Sequence, residues 1–206
     1  MAKTLERVVL EDPDILEQTK THHKNRYDFA RMYASETLSY LSFLDLCCGT
    51  GYGVRILCTN PGSRYLGIDI SQKSIEYSHR YIERPYSEQH IVKDLVKRSS
   101  WWGLGKYNVI TMFECIEHFR YKDGVSIVKR AYNHLENKGL FFLSTPRDIN
   151  ERYNMFHKSM WTFSMLKNKL GSIFNEVEIY GQDWDTGIIN RENAIENDMY
   201  IAVCKK

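Results

Sequence analysis

Residues Phe43 to Gly53, FLDLCCGTGYG, constrain this chain more than any other stretch. The apolar run SFLDLC has the length of a buried strand and is too short for a core helix. Glycines at every second position follow, and then VRILCTN reads as a helix until Asn60-Pro61-Gly62 stops it. A strand, a glycine turn and a helix in that order place backbone amides at the carboxyl end of a sheet, where open α/β folds bind ligands. A phosphate loop of the Walker type is excluded, because no Gly-Lys-Ser/Thr closes the turn. A dinucleotide fingerprint needs G-x-G-x-x-G, and GTGYG brings its third glycine one place early. Cys47 and Cys48 are adjacent rather than spaced C-x-x-C. Neighbours on a strand point to opposite faces, so the pair is expected to be small apolar core residues rather than one ion's ligands.

The same alternation continues. RYLGIDI, QHIVKDL, KYNVITMF and LFFLST read as strands. Between them lie QKSIEYSHRYIER, capped by Ser71, and a helix over Val125–Leu135. FSMLKNKL, capped by Thr162 and ended by Gly171, precedes two late strands, FNEVEIYG and MYIAVCK. Upstream, EDPD at Glu11–Asp14 opens a short helix, and Asn25–Tyr40 is amphipathic through Tyr27, Ala30, Ala34, Leu38 and Leu41. Five strand–helix rounds call for an α/β fold with a doubly wound, mostly parallel, seven-stranded Rossmann-like sheet. The last two strands, joined by the polar loop Gln182–Asn197, suit an antiparallel hairpin at one edge.

With 206 residues the chain is long enough for one domain with a sizeable core. A net charge of +2 demands no polyanionic partner. Its cysteines number five and follow no disulfide framework, so reduced thiols in a cytoplasmic protein are expected. No apolar run approaches the roughly 18 residues of a membrane span.

Asp45-Leu-Cys-Cys-Gly49-Thr-Gly51 resembles the first motif of class I S-adenosylmethionine-dependent methyltransferases, with Cys47 where a glycine is usual. That resemblance implies one domain over residues 1–206, with a helical lid at 1–41 and a Rossmann-like core at 42–206. It implies that Asp69, at the end of the second strand, accepts hydrogen bonds from the donor's ribose hydroxyls. Asp94 would hold the adenine amino group beside Leu95, with Ile70 and Phe113 as further donor contacts. Asp45, Gly49 and Gly51 would shape the seat for the donor's amino-acid end. HKNRYDFA, His23 to Ala30, is similar to the H-x-x-R-Y-x-F-A lead-in of one branch that also carries Gly-Tyr-Gly, as at Gly51-Tyr52-Gly53. Many members of that branch are encoded beside glycosyltransferases and are thought to modify sugars. Tyr27 would then lie over the donor; the alternative is an ordinary core-facing aromatic.

FECIEH follows the fourth strand and sets Glu114, Glu117 and His118 at i, i+3 and i+4, on one face of a helical turn. Two carboxylates and an imidazole converging there would repel without a positive charge between them. Together with His157, LSTPR and Trp161-Thr162, the set resembles the E-x-x-E-H…H pattern of small-RNA 2′-O-methyltransferases, in which a divalent ion binds ribose hydroxyls. Ubiquinone-pathway O-methyltransferases carry a similar E-x-x-E-H. Three uses fit these residues. Glu114, Glu117, His118 and His157 hold Mg²⁺, Mn²⁺ or Zn²⁺; or His118 or His157, with Glu117, serves metal-free acid–base catalysis; or Glu117 only favours a helix start and His118 packs under the sheet. Trp101-Trp102 stacks on a base or sugar, or forms a hydrophobic plug. Trp184 and Asp185 lie in a loop where acceptors often contact such folds, and His22, His90 and His134 are expected on the solvated surface.

The resulting expectation is an O-methyltransferase using S-adenosylmethionine on a hydroxyl of a sugar or other small polyhydroxylated molecule, with a divalent metal assisting. Methylation of RNA ends is the rival enzyme reading, weakened by the small net charge and the lack of an RNA-binding appendage. A non-catalytic, cofactor-binding partner of a glycosyltransferase is the third.

Overall fold

Consecutive apolar residues of the central strands leave in opposite directions, and this parity builds two cores. Phe43, Val109, Leu140 and Phe142 enter one, with Tyr27, Ala30 and Ala34. Leu44, Ile110, Phe141 and Leu143 enter the other, with Ile127, Val128 and Leu166. Strands apolar on both faces need helices on both faces. The computed structural model describes residues 17–38, 41–60, 62–82, 87–147, 156–192 and 194–206. The helix expected to open at Glu11–Asp14 lies outside them.

The elements run α1 (Glu17–Thr37), β1 (Ser42–Leu46), α2 (Gly53–Leu57), β2 (Arg64–Asp69), α3 (Gln72–Tyr81), β3 (Ser87–Val92), β4 (Tyr107–Met112), α4 (Tyr121–His134), β5 (Leu135–Pro146), α5 (Phe163–Gly171), β6 (Glu176–Gln182), β7 (Ile189–Asn190) and β8 (Met199–Lys205). Their order across the sheet is β3-β2-β1-β4-β5-β8-β6-β7. The first five strands pair in parallel and the last three antiparallel. β1 therefore sits between β2 and β4, and the chain's winding reverses there. The crevice beyond the carboxyl ends of β1 and β4 is the place such a sheet offers a ligand.

The expected doubly wound fold and its antiparallel edge are present, with one correction. The sheet has eight strands rather than seven, because Ile189–Asn190 pairs with the end of β6. The two late strands pair antiparallel at that edge as expected, with β8 inserted between β5 and β6. Composition explains that choice: β8 is buried along MYIAVC, whereas β6 carries Glu176 and Glu178 and is mostly half-exposed. The caps at Ser71 and Thr162 form as expected, accepting from the Ser74 and Met165 amides at 3.2 Å each. α2 is shorter than the sequence suggests, ending before Cys58, which takes φ −96° and ψ 65°.

α1 lies across the glycine turn, and Gly53 is what allows it so close. A methyl group on Gly53 would meet Cε1 of Tyr27 at 2.5 Å and Oδ2 of Asp45 at 3.1 Å. Gly53→Ala is thus expected to destabilise the fold by about 1–3 kcal/mol through overpacking. Gly171→Ala is the neutral comparison, since nothing lies within 4 Å of it. Urea denaturation reads both; a Gly53→Ala protein as stable as the parent would contradict this docking of α1.

Candidate active site

β1 ends in a turn made by left-handed backbone. Cys47 has φ 60°, Gly49 φ 56° and Gly51 φ 80°. Gly51 must be glycine, because a Cβ there would sit 2.5 Å from Nε2 of His90 and 2.8 Å from Cβ of Ser78. Gly49 faces open space, with nothing within 4 Å of a Cβ position. The buried Asp69 carboxylate braces this turn from the end of β2. It accepts from the Gly49 amide at 3.0 Å and from the Ser71 amide at 2.8 Å. Ile70 beside it is exposed, and Leu95 is buried beyond β3. Asp94 lies two residues past the end of β3 and accepts from the Val96 amide at 3.0 Å. Asp69, Ile70, Asp94 and Leu95 thus all follow or close the carboxyl ends of β2 and β3, one side of the crevice.

Asp45 has no access to solvent. Register opposes it to Thr111 of β4, whose hydroxyl donates to Oδ1 at 2.7 Å. Tyr65 donates to Oδ2 at 2.8 Å and Tyr27 at 3.0 Å. Burial outweighs these three donors and pushes the Asp45 carboxyl up to about 6. Tyr27 is buried, with Phe113 and Tyr52 edge-on to its ring at centroid distances of 5.0 and 5.4 Å. It is both a core aromatic and the contact between α1 and the turn.

Arg26, next to Tyr27, is a residue that sequence reasoning passed over. Its side chain is 2% exposed, and it donates to Oε1 of Glu114 at 3.1 Å. Its Nε is buried without a hydrogen-bond partner among the described residues. Its sequence signal is the arginine of H-x-x-R-Y, directly before Tyr27. A buried guanidinium beside a ligand crevice is uncommon enough to mark a site.

After β4 the chain turns sharply. Glu114 takes φ 47°, and Ile116–His118 form a single 3₁₀ turn. The expected shared face of Glu114, Glu117 and His118 is therefore not formed. The left-handed backbone carries the Glu114 carboxylate to Arg26 and to the Ser144 hydroxyl, which donates at 2.9 Å. Glu117, His118 and His157 do come together, with one ligand atom from each within 4.8 Å of the others. The His118 and His157 rings are 5.1 Å apart at 77°. His157 is delivered by the backbone: the Lys158 and Ser159 amides donate to the Glu117 carbonyl at 2.7 and 3.1 Å. Both carboxylate oxygens of Glu117 are buried and, among the described residues, find no hydrogen-bond partner in good geometry, with only the Thr145 hydroxyl, its own backbone amide and the Arg26 charge offsetting the burial. Burial and the nearby Glu114 push this carboxyl well above the usual range. A bound cation would supply the missing counter-charge, so the donor set of one carboxylate and two imidazoles fits a divalent ion.

Other expectations divide. His22 and His90 are buried rather than at the surface. His22 packs edge-on against Trp184 at 4.8 Å, and His90 lies under Gly51 and beside Tyr65 at 5.3 Å. His134 is half-buried, with Nδ1 2.6 Å from the Gly105 carbonyl oxygen. Trp101 is a buried plug that donates to the Leu95 carbonyl at 2.9 Å, while Trp102 is exposed. The cysteines are not all free thiols: Cys47 is disulfide-bonded to Cys115, and Cys48, Cys58 and Cys204 are free and buried. The left-handed turn at Cys47 sends its side chain to the face opposite Cys48, where Cys115 is packed.

A family described as "Methyltransferase domain" matches residues 8–190. The chain belongs to this methyltransferase family. No curated protein matches it. Among solved structures, the plantazolicin methyltransferase BpumL in complex with SAH is 17% identical, with a TM-score of 0.68 over 92% of this chain and 86% of that one. N-methyltransferase NodS from Bradyrhizobium japonicum WM9 is 14% identical, with a TM-score of 0.67 over 90% of this chain and 96% of that one. A SAM dependent methyltransferase from Archaeoglobus fulgidus is 16% identical, with a TM-score of 0.66 over 87% of this chain and 92% of that one. At these identities the likeness is one of fold, and it confirms the Rossmann-like reading.

Asp45 gives the methyltransferase a pH signature. Its carboxyl is raised to about 6 in the fold, against an ordinary value of 3.8. The native state therefore holds that proton more tightly than the unfolded chain. Asp45's contribution is most favourable below the unfolded value and is lost as pH rises through the window to about 6, a change on the order of 3 kcal/mol. Asp45→Asn should flatten the fall of melting temperature across that window. An unchanged slope would show that Asp45 does not titrate there.

Proposed function

We propose that this methyltransferase transfers a methyl group from S-adenosylmethionine to a hydroxyl of a small polyhydroxylated acceptor, such as a sugar, in the cytoplasm, with a divalent cation held by Glu117, His118 and His157. The observation that carries the reading is Glu117: a buried carboxylate with no well-formed hydrogen bond among the described residues, after the carboxyl end of a central strand, beside two imidazoles. A carboxylate in that state is costly to bury unless a cation completes it. Such an ion, when bound, lowers the pKa of a hydroxyl and fixes neighbouring oxygens.

The chain's own residues have separable parts. Gly49 and Gly51 hold the turn open for close approach, and Asp69 braces that turn while presenting its carboxylate to the ribose hydroxyls. Asp94 and Leu95 border the base, with the exposed Ile70 as its other wall. Arg26 places a buried positive charge between the turn and Glu114, suited to the donor's carboxylate. Phe113 and Tyr27 close the crevice under α1 and keep water from the transfer. The donor is already activated, so orientation supplies much of the rate, about 7–11 kcal/mol in favourable intramolecular cases. Glu114 is held by Arg26 and Ser144, and it positions rather than ligates.

Four expected outcomes test these assignments. Asp69→Ala removes a charged acceptor of hydrogen bonds, each worth about 1.5–3 kcal/mol, and should weaken S-adenosylhomocysteine at least tenfold by calorimetry. Unchanged affinity would remove the donor assignment. Glu117→Gln should lower turnover about 10²-fold or more. Its product-cofactor affinity should stay near that of the parent. Excess chelator should stop the parent enzyme and added Mn²⁺ should restore it; full turnover in chelator would exclude the cation. Acceptors are screened as nucleotide sugars against RNA ends, and methylation of RNA alone would overturn the acceptor class.

A further inference from the structure

We propose that Cys47 and Cys115 form a reversible thiol–disulfide site that sets the affinity of the donor crevice; this rests on the donor reading above. The pair joins the two turns on which that reading depends. Cys47 opens the glycine turn after β1, and Cys115 stands between Glu114 and the Ile116–His118 turn after β4. Their Cα atoms are 6.0 Å apart, within the range a disulfide spans, although 68 residues separate them in sequence.

Backbone strain lies on both arms of the crosslink. Among the described residues, only Cys47, Glu114 and Lys138 have positive φ without being glycine. Two of those three are Cys47 itself and the neighbour of Cys115. L side chains resist this region, so neither turn is held by its own local preference. At Cys47 a glycine would adopt φ 60° without resistance. The bond to Cys115 supplies the constraint that glycine would make unnecessary. With the bond closed, the turn under Gly49 and the turn carrying Glu114 are fixed to each other before the donor arrives. With the bond open, donor binding must order both, and affinity falls by that cost.

The chemistry balances by exchange with a small-molecule disulfide. Cys47 is half-buried and Cys115 is fully buried, so an external reagent reaches Cys47 first. The Cys47 thiolate attacks one sulfur of the small disulfide and expels one thiol. The Cys115 thiolate then attacks the Cys47 sulfur of the mixed disulfide and expels the second. Each protein thiol loses its proton, the protein is oxidised by two electrons, and the small disulfide becomes two thiols. A dithiol reverses the exchange.

The test uses the full-length protein equilibrated in oxidised glutathione or in dithiothreitol. After denaturation the first sample should titrate three free thiols, Cys48, Cys58 and Cys204. The second should titrate all five. S-adenosylhomocysteine should bind the reduced protein about tenfold more weakly, equivalent to about 1.4 kcal/mol. Cys115→Ser should bind weakly in both buffers. Cys47→Gly, free to adopt its own turn unaided but without the tie to the Glu114 turn, should bind equally in both buffers and more tightly than Cys115→Ser. Failure of the crosslink to form, equal affinity of the parent in both states, or a redox-dependent Cys47→Gly would each overturn the proposal. Loss of S-adenosylhomocysteine binding in every sample would overturn the donor reading, and the switch with it.

Discussion

Asp45 accepts hydroxyls from three elements at once: Tyr27 of α1, Tyr65 of β2 and Thr111 of β4. The rest of the crevice depends on that knot. It fixes β1 against both neighbours at the point where the winding of the sheet reverses, and it anchors α1 over the glycine turn. Burial makes the carboxylate costly, and three donors offset part of the cost. The polar knot also specifies a single arrangement, because any slip of β1 would leave a buried carboxylate and three hydroxyls without partners. Family membership places methyl transfer on this frame.

Around the knot, charge is arranged in two layers. Arg26 and Glu114 form a nearly buried pair at the end of β4, and Ser144 donates a further hydrogen bond to Glu114. Among the described residues, Glu117 beyond them has no charged partner at hydrogen-bond distance and no well-formed hydrogen bond. Of two neighbouring carboxylates, one is thus satisfied by the protein and the other is left for something else. That asymmetry is why the proposal gives Glu117, and not Glu114, to the cation. Sequence spacing treats the two glutamates alike; the left-handed backbone at Glu114 distinguishes them.

Much of this was legible in the sequence. Short apolar runs alternating with helical stretches gave the parallel strands, and the order of strand, glycine turn and helix gave the turn after β1, because these features depend on local pattern. The position of β8 between β5 and β6 was not legible, since antiparallel partners are chosen by burial across the whole sheet. His90 looked like a surface residue, yet Gly51 and Gly67 lack side chains and make room for its ring. Cys47 was correctly separated from Cys48, but its pairing with Cys115 follows from a backbone reversal that no local propensity indicates. Arg26 was hidden by its neighbour, because burial of a cation cannot be read from helical spacing alone.

The central claim is that Glu117, His118 and His157 hold a cation beside the donor. The most direct measurement is a crystal structure with S-adenosylhomocysteine and Mn²⁺, read by anomalous scattering. The account predicts an anomalous peak about 2.0–2.4 Å from one oxygen of Glu117 and one nitrogen of each histidine. It also predicts S-adenosylhomocysteine against Asp69. A well-ordered S-adenosylhomocysteine with no anomalous density at Glu117 would contradict it.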